Sequence, residues 1–178
     1  LAVYVLDSLK FSLLKSSTNN DNWEGMFLKI SSPTHNRDFL VGNVYRPPRT
    51  TSDDYSAFLG SFIPVLNSFN NSRCACIVAG DFNIDLLKHN ERSHVLDYLV
   101  AISAEGYCPV LSCPSRFTDN TATLIDHILF NSSFSIDQQT LLSGVLTNHI
   151  SDHQPCFMSL HFRDQDGDDS RPCNGKYF

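Results

Sequence analysis

The sequence predicts an α+β domain in which two mainly antiparallel sheets pack face to face, with helices on the outside. Many short runs rich in β-branched and aromatic residues are separated by turn-forming residues, which is typical of strands. Only two segments, beginning near residues 51 and 94, carry apolar residues at the three- and four-residue spacing of a helix. Residues 74–79 form an uncharged run that is too short for a helix and favours a strand covered on both faces. A layered sandwich is the simplest fold that buries all of these apolar faces.

The composition fits one folded domain. The chain has 178 residues, of which 42% are hydrophobic and 18% charged, so it can bury a core and does not resemble a disordered chain. No apolar stretch approaches the ~20 residues of a membrane span, and residues 1–6 lack the pattern of a secretory signal. The six cysteines show no zinc-ligand spacing, and we expect them to be reduced thiols of an intracellular protein.

The charge of the chain argues against strong non-specific binding to nucleic acids. The formal net charge is −6, whereas proteins that bind phosphates through electrostatics alone carry a basic face. Binding of DNA would therefore require a metal ion or a local cluster of basic side chains.

The predicted elements follow in order along the chain. Strands are predicted at residues 1–5, 11–14, 23–30, 39–45, 74–79, 107–111, 122–130, 141–146 and 156–162. The first helix begins at residues 51–54 and is interrupted by Pro64, and the second spans residues 94–104 and is closed by Gly106. Polar loops are predicted at residues 7–10, 16–22, 31–38, 67–73, 114–118 and 149–155. Residues 163–178 are rich in Asp and Gly and predict a disordered acidic tail, so that the domain covers residues 1–162.

Polar residues appear abruptly where the buried run at residues 74–79 ends. Gly80 allows a turn or a close approach of the backbone, and Asp81 and Asn83 point the same way if the chain stays extended. A carboxylate and an amide in this arrangement can orient a water and hold a phosphate oxygen. Tyr45 also stands at a strand end, because the prolines at 47 and 48 cannot donate to a sheet. Since Gly, Asp and Asn are turn formers, an ordinary strand end is the alternative interpretation.

Two later features add to this set of polar side chains. Asp126 interrupts an apolar strand, where an unpaired carboxylate is costly, and Asp152 and His153 are adjacent in a polar loop. Carboxylates suit a hard divalent cation, which lowers the pKa of a bound water and neutralises phosphate charge. A His supported by a carboxylate can stay protonated near neutral pH and stabilise an anionic transition state. Together the residues predict hydrolysis of a phosphate ester, and a solvated Asp-His loop is the alternative interpretation.

Four segments carry a resemblance to a known family. They read Asn-Val-Tyr-Arg-Pro-Pro at residues 43–48, Gly-Asp-Phe-Asn at 80–83, Leu-Ile-Asp-His-Ile at 124–128 and Ile-Ser-Asp-His-Gln-Pro at 150–155. In this order and spacing they resemble the endonuclease/exonuclease/phosphatase superfamily, and more closely the apurinic-type endonuclease domain of non-LTR (LINE-type) retrotransposons. The resemblance covers residues 1–162 and implies a four-layered α/β sandwich with Mg²⁺-dependent nicking of DNA, Mn²⁺ being a substitute ion. It also implies a nuclear location and a reverse transcriptase domain as a partner in the complete open reading frame.

The resemblance implies a catalytic role for five side chains. Asp81 would activate the attacking water, Asn83 would bind the phosphate and Tyr45 would touch it. His153 would stabilise the pentacovalent phosphate, and Asp126 would orient the imidazole of His153.

Four further side chains receive supporting roles from the same resemblance. Asp152 would serve the metal or the water network around it. Ser115, Arg116 and Ser151 are predicted to contribute to substrate binding.

The sequence departs from the family pattern at its beginning. Family members start with a strand that ends in a catalytic Asn and a second segment that bears a metal-binding Glu, and nothing before Leu1 supplies them. Glu24 lies in a different strand context and is not assigned that role. We therefore expect a fold without its first strands and weak or absent activity, since loss of one catalytic group commonly costs ~10²-fold or more. A phosphatase acting on small phosphate esters and a catalytically dead remnant serving as a binding module are the alternatives.

Overall fold

One large sheet positions the other elements of the protein. The computed structural model describes residues 1–17, 22–32, 37–49, 51–70, 74–131, 141–148 and 150–160. In chain order the elements are β1 (Lys10–Ser17), β2 (Glu24–Ser32), β3 (Arg37–Tyr45), α1 (Ser52–Asn70), β4 (Ala75–Asp81), a 3-10 helix (Leu86–Lys88), α2 (Ser93–Ala104), β5 (Tyr107–Pro109), β6 (Arg116–Phe117), β7 (Ala122–Thr123), β8 (Asp126–Asn131), β9 (Leu141–Val145) and β10 (Cys156–Leu160). The six-stranded sheet has the order β1-β2-β3-β4-β8-β5. Its neighbouring strands are antiparallel except β3 and β4, which run parallel and are joined through α1.

The two helices pack on one face of the large sheet. Alternate residues of β3 and β4, such as Val44 and Val78, are fully buried beneath apolar side chains of both helices, including Phe58 and Tyr98. The second sheet, β9 paired with β10, contributes partly buried residues that pack against the same core cluster. The described residues thus form a helix layer, a large sheet and a second sheet, and the predicted α+β sandwich is confirmed.

The first helix begins where the sequence predicts, because Thr51 and Asp54 cap its N-terminus. The Thr51 hydroxyl donates to the Asp54 carboxylate at 2.6 Å and accepts from the Asp54 backbone N–H at 3.2 Å. The interruption predicted at Pro64 is wrong, since α1 continues through this residue. Pro64 is exposed while its neighbours Val65 and Leu66 are buried, so packing outweighs the ~3 kcal/mol that proline costs inside a helix.

The single strand predicted at residues 122–130 is wrong, because the structure divides this segment into two strands. β7 and β8 are separated by Leu124 and Ile125, whose backbone groups bind the loop after β4. Phe82 N donates to Ile125 O at 2.9 Å, and Leu124 N donates to the Asp85 carboxylate at 3.0 Å. The sequence shows only an apolar run here, because the partner of each backbone group lies about 40 residues away.

The remaining differences from the predicted elements concern residues 1–5, the loop at 114–118 and the ends of the other elements. Residues 1–5 do not form the predicted strand; Tyr4 is 96% exposed, and the Ala2 carbonyl accepts from Asn43 Nδ2 at 3.0 Å. Gly106 closes α2 as predicted, with φ of 80° and its N–H donating to Ser103 O. The loop predicted at 114–118 contains β6. The acidic tail at 163–178 and the loop residue at 149 lie outside the described residues.

Two further properties bear on the sequence predictions. The five described cysteines, at positions 74, 76, 108, 113 and 156, are free thiols. Neither described helix is long and apolar enough to cross a membrane.

Candidate active site

The strand registers bring three predicted side chains to one end of the large sheet. Tyr45 at the end of β3 is paired with Asp81 at the end of β4, because these strands are parallel. Asp81 is paired in turn with Asp126, the first residue of β8. Side chains of directly paired residues leave the sheet on the same face. One row across three strands therefore carries Tyr45, Asp81 and Asp126.

The loop before β10 adds His153 to this row. His153 forms an isolated β-bridge with Arg116, and two backbone hydrogen bonds anchor its neighbours: Phe117 N to Asp152 O at 2.8 Å and Gln154 N to Ser115 O at 2.7 Å. As a result, ligand atoms of Asp81, Asp126 and His153 all lie within 4.8 Å of one another.

Asp126 is bound from two sides. His153 Nδ1 lies 3.0 Å from Asp126 Oδ2 and 3.1 Å from Oδ1, so the contact that the resemblance implies is present. The Ser115 hydroxyl donates to Asp126 Oδ2 at 2.7 Å and accepts from the Asp126 N–H at 3.0 Å. Ser115 is completely buried, so its hydroxyl is placed to hold Asp126 and not to contact substrate. This fixed carboxylate sets the direction of the His153 imidazole.

Asp81 is half-buried, and its environment favours proton acceptance. Burial raises the pKa of Asp81 above its ordinary 3.8, and the nearby Asp126 carboxylate raises it further. The Asn83 N–H donates to Asp81 Oδ1 at 3.0 Å and opposes this shift, as do the charges of His153 and Arg116. An Asp with a raised pKa is a better base for a water molecule than an exposed one.

Asn83 occupies a constrained backbone conformation. Its φ of 49° is in the left-handed region, which Asn tolerates better than most residues with a Cβ. Its side-chain Nδ2 donates to Arg46 O at 2.7 Å, which fixes the plane of the amide. The second hydrogen on Nδ2 has no acceptor among the described residues and remains available as a donor.

Asp152 and Arg116 bind each other at the exposed rim of the site. Arg116 Nε donates to Asp152 Oδ2 at 2.8 Å, and this hydrogen bond holds the pKa of Asp152 below its usual value. Ser151 Oγ accepts from the backbone N–H of His153 at 3.1 Å and so shapes the loop. Asp152 thus points to Arg116, and the carboxylates that lie together are Asp81 and Asp126.

Comparison with known families decides the classification. A family model described as endonuclease-reverse transcriptase matches residues 39–157, which is more than half of the chain. The chain belongs to the endonuclease-reverse transcriptase family. The predicted membership of the endonuclease/exonuclease/phosphatase superfamily, with a retrotransposon-type endonuclease as its relative, is confirmed. A search of curated proteins gives no match to this chain.

Solved structures show the same fold at low sequence identity. The endonuclease domain of TRAS1, a telomere-specific non-LTR retrotransposon, is 10% identical with a TM-score of 0.62, over 87% of this chain and 79% of that domain. The human Nocturnin catalytic domain with bound sulfate is 18% identical with a TM-score of 0.55, over 85% of this chain and 60% of that domain. D. rerio TDP2 complexed with a single-stranded DNA product is 11% identical with a TM-score of 0.55, over 85% of this chain and 69% of that one. The chain therefore has a superfamily hydrolase fold and spans less than two thirds of the Nocturnin domain.

The site also contains residues to which the sequence patterns assign no role. Asn43 and Cys156 line a cavity of about 250 Å³ beside Asp81 and Asp126. Asn43 precedes Tyr45 by two positions on β3, so the alternation of a strand was an available signal. Glu24 is paired with Tyr45 across β2 and β3 and extends the same row. No sequence signal indicated this, because the register of a hairpin depends on its loop.

The donor set fits a divalent cation of the kind that superfamily members use. Asp81 and Asp126 offer carboxylate oxygens, which Mg²⁺ and Mn²⁺ accept as ligands while retaining several waters. The imidazole of His153 lies beside them, with its Nδ1 hydrogen-bonded to Asp126.

Proposed function

We propose that the protein is a metal-dependent phosphodiesterase domain of retroelement origin that nicks DNA. The observation that carries this proposal is the convergence of Asp81, Asp126 and His153 at one end of the sheet, from segments 45 and 27 residues apart in sequence. Membership of the endonuclease-reverse transcriptase family supports the substrate class. A reverse transcriptase domain as partner and a nuclear location belong to the same proposal.

The chemistry is hydrolysis of a phosphodiester. Asp81 accepts the proton of a water whose oxygen forms a bond to phosphorus, the bond from phosphorus to the leaving oxygen breaks in line, and the leaving oxygen takes up a proton from solvent. Asn83 donates its remaining Nδ2 hydrogen to a phosphate oxygen, and Tyr45 contacts the same phosphate. His153, oriented by Asp126, stabilises the negative charge that develops on the phosphate. A bound Mg²⁺, held by Asp81 and Asp126, would supply additional positive charge at the phosphate.

The rim residues have supporting roles in this proposal. Arg116 lies beside the site, where its charge acts on Asp81, and Asp152 keeps it in place and serves the water network around the metal. Ser151 holds the His153 backbone. Ser115 contributes to substrate binding indirectly, through Asp126.

Nicking of supercoiled plasmid in Mg²⁺ tests the proposal. Asp81→Ala and His153→Ala should each reduce the rate by ~10²-fold or more. Asp53→Ala is the matched control, because Asp53 is an exposed carboxylate in the first turn of α1 and should nick at the wild-type rate. Full activity in both site variants would overturn the proposal.

A parallel assay separates the alternatives. Faster turnover of a small phosphate monoester than of plasmid would assign the chain to the phosphatases of the superfamily. Absence of both activities, together with no effect of Mg²⁺ on the unfolding temperature, would identify a catalytically dead remnant.

A further inference from the structure

We propose that Arg46 is a positioning residue that holds the loop from Asp81 to Asn83 in the geometry needed for hydrolysis. The inference rests on the proposed function, because it concerns the same loop. It assigns to Arg46 a task that is separate from contact with the substrate.

Arg46 is a buried cation. Its side chain is 1% exposed and is among the largest fully buried side chains of the described residues. Within the described ranges it forms no ion pair with a carboxylate at 4 Å or less. An arginine stays protonated in proteins, and burial of a charge without an ionic partner costs several kcal/mol. Burial of Arg46 therefore destabilises the folded state unless the surrounding groups compensate its charge.

Backbone carbonyls and the faces of two aromatic rings compensate the charge of Arg46. Arg46 Nη1 donates to Phe82 O at 3.3 Å and to Asn83 O at 3.4 Å. The guanidinium carbon lies 4.4 Å from the ring centre of Tyr55 and 5.4 Å from that of Phe58. Nη1 thus binds two consecutive carbonyls of the loop, while Nη2 donates to Arg49 O at 3.0 Å and the face of the planar group rests on α1.

The backbone of Arg46 binds the same loop. Arg46 N donates to Asp81 O at 2.9 Å, and Arg46 O accepts from Asn83 Nδ2 at 2.7 Å. Asn83 is therefore bound to Arg46 through both its carbonyl and its side chain, in a backbone conformation with φ of 49° that needs external support. If the fork is lost, the loop can relax, and the free Nδ2 hydrogen of Asn83 no longer has a fixed direction.

A planar fork is required for this task. Lysine offers a single ammonium group, so it cannot stack flat on Tyr55 while it donates both to the loop carbonyls and to Arg49 O on the other side. Arg46→Lys should consequently retain the charge and only part of the positioning. Arg46→Met removes the charge and keeps the length of the stem, and replacing an unpaired buried ion by an apolar side chain need not destabilise a fold.

The first experiment follows Asn83 directly and needs no activity. Hydrogen exchange of the Asn83 backbone amide, together with NMR of its side-chain NH₂ group, is measured in the wild type, Arg46→Lys and Arg46→Met. We expect about tenfold faster exchange at Asn83 in Arg46→Met and a smaller change in Arg46→Lys. Arg92→Met is the matched control, since Arg92 is an exposed arginine at the N-terminus of α2 whose side chain forms no capping hydrogen bond.

The second experiment measures nicking. Arg46→Met should lower kcat by ~10²-fold with KM within about threefold of the wild type, because misplacement of a binding group acts on the transition state. Arg46→Lys should recover part of this loss. In an Asn83→Ala background, Arg46→Met should cost less than about threefold more, because Arg46 acts through Asn83.

The two measurements separate the inference from the proposed function. If the wild type does not nick DNA but Asn83 loses protection in the Arg46 variants, the positioning role stands and the proposed function fails. Unchanged Asn83 exchange in Arg46→Met, or losses that multiply fully with Asn83→Ala, would overturn the positioning role. If Arg46→Met does not fold, Arg46→Lys decides by the same exchange measurement.

Discussion

Gly80 offers a sharp test of how the site is attached to the sheet. An added Cβ at this position would lie 1.8 Å from Val44 O and 2.7 Å from Val44 C, both backbone atoms of the neighbouring strand β3. Since Cβ contacts under 3.0 Å are essentially never seen, the two strands would have to separate by more than an ångström. Gly80 also has φ of +149°, a conformation that residues with side chains rarely adopt.

The cost of Gly80→Ala can be estimated from these features. Separation of β3 and β4 at this point weakens about two ladder hydrogen bonds, at about 1 kcal/mol each. The strained backbone adds about 1–3 kcal/mol. We therefore expect Gly80→Ala to lower the free energy of unfolding by about 3–5 kcal/mol, a large part of the 5–15 kcal/mol typical of a domain.

Gly60→Ala is the matched control for this measurement. Apart from the backbone of α1 itself, no atom of the described residues lies within 4 Å of an added Cβ at Gly60, so Gly60→Ala should stabilise the protein by about 0.5–1 kcal/mol. Both values can be obtained from urea unfolding followed by fluorescence of Trp23, the single tryptophan, which is 1% exposed. If Gly80→Ala unfolds within about 1 kcal/mol of the wild type, the close approach of β3 and β4 is wrong.

Three further outcomes are expected. Burial lowers the pKa of His127 from 6.5 to about 4. Between these two pH values the unfolded chain binds a proton that the folded protein does not. The free energy of unfolding should therefore fall as the pH drops from 6.5 to 4, by up to ~3 kcal/mol. Urea midpoints at pH 7 and 4.5 should show that His127→Gln reduces this dependence, and an identical slope in both proteins would contradict it. Ser115→Ala should lower nicking by about tenfold through Asp126 and destabilise by about 1–2 kcal/mol, whereas the exposed Ser112→Ala should match the wild type in both assays. In thermal unfolding, Mg²⁺ at 100 times its Kd should stabilise the wild type by about 2.7 kcal/mol and should not stabilise Asp81→Asn. Equal stabilisation of the two proteins would show that the ion binds elsewhere.

The sequence was sufficient for the fold class and for the expectation that polar side chains meet at the ends of strands. Period-two and helical patterns depend on local spacing, and they located β2, β3, β4, α1 and α2 to within a few residues. The polar side chains at strand ends were recognised because an apolar run stops abruptly there, as at Gly80. The convergence of Asp81, Asp126 and His153 then followed from the resemblance and is present in the structure.

The support of the site could not be predicted from the sequence. Ser115 was assigned to the substrate, but its partner is the Asp126 carboxylate eleven residues later. Arg46 stands beside two prolines in a segment that reads as an ordinary loop, and the carbonyls of Phe82 and Asn83 that it binds lie 36 and 37 residues away. Pairings over such distances depend on strand order and register, and neither quantity is encoded in local periodicity.

Phe82 has a consequence for how this protein can change. Its ring is completely buried and stacks on His127 at 4.8 Å, with Phe58 and Phe62 edge-on, yet its backbone separates Asp81 from Asn83. Substitutions deep in the hydrophobic interior will therefore alter the spacing of the reactive groups, even though they never meet solvent. Laboratory evolution of this protein should accordingly recover rate-altering substitutions inside the aromatic cluster as well as at the surface. A redesign of the core around Phe82 will therefore also change the catalytic rate.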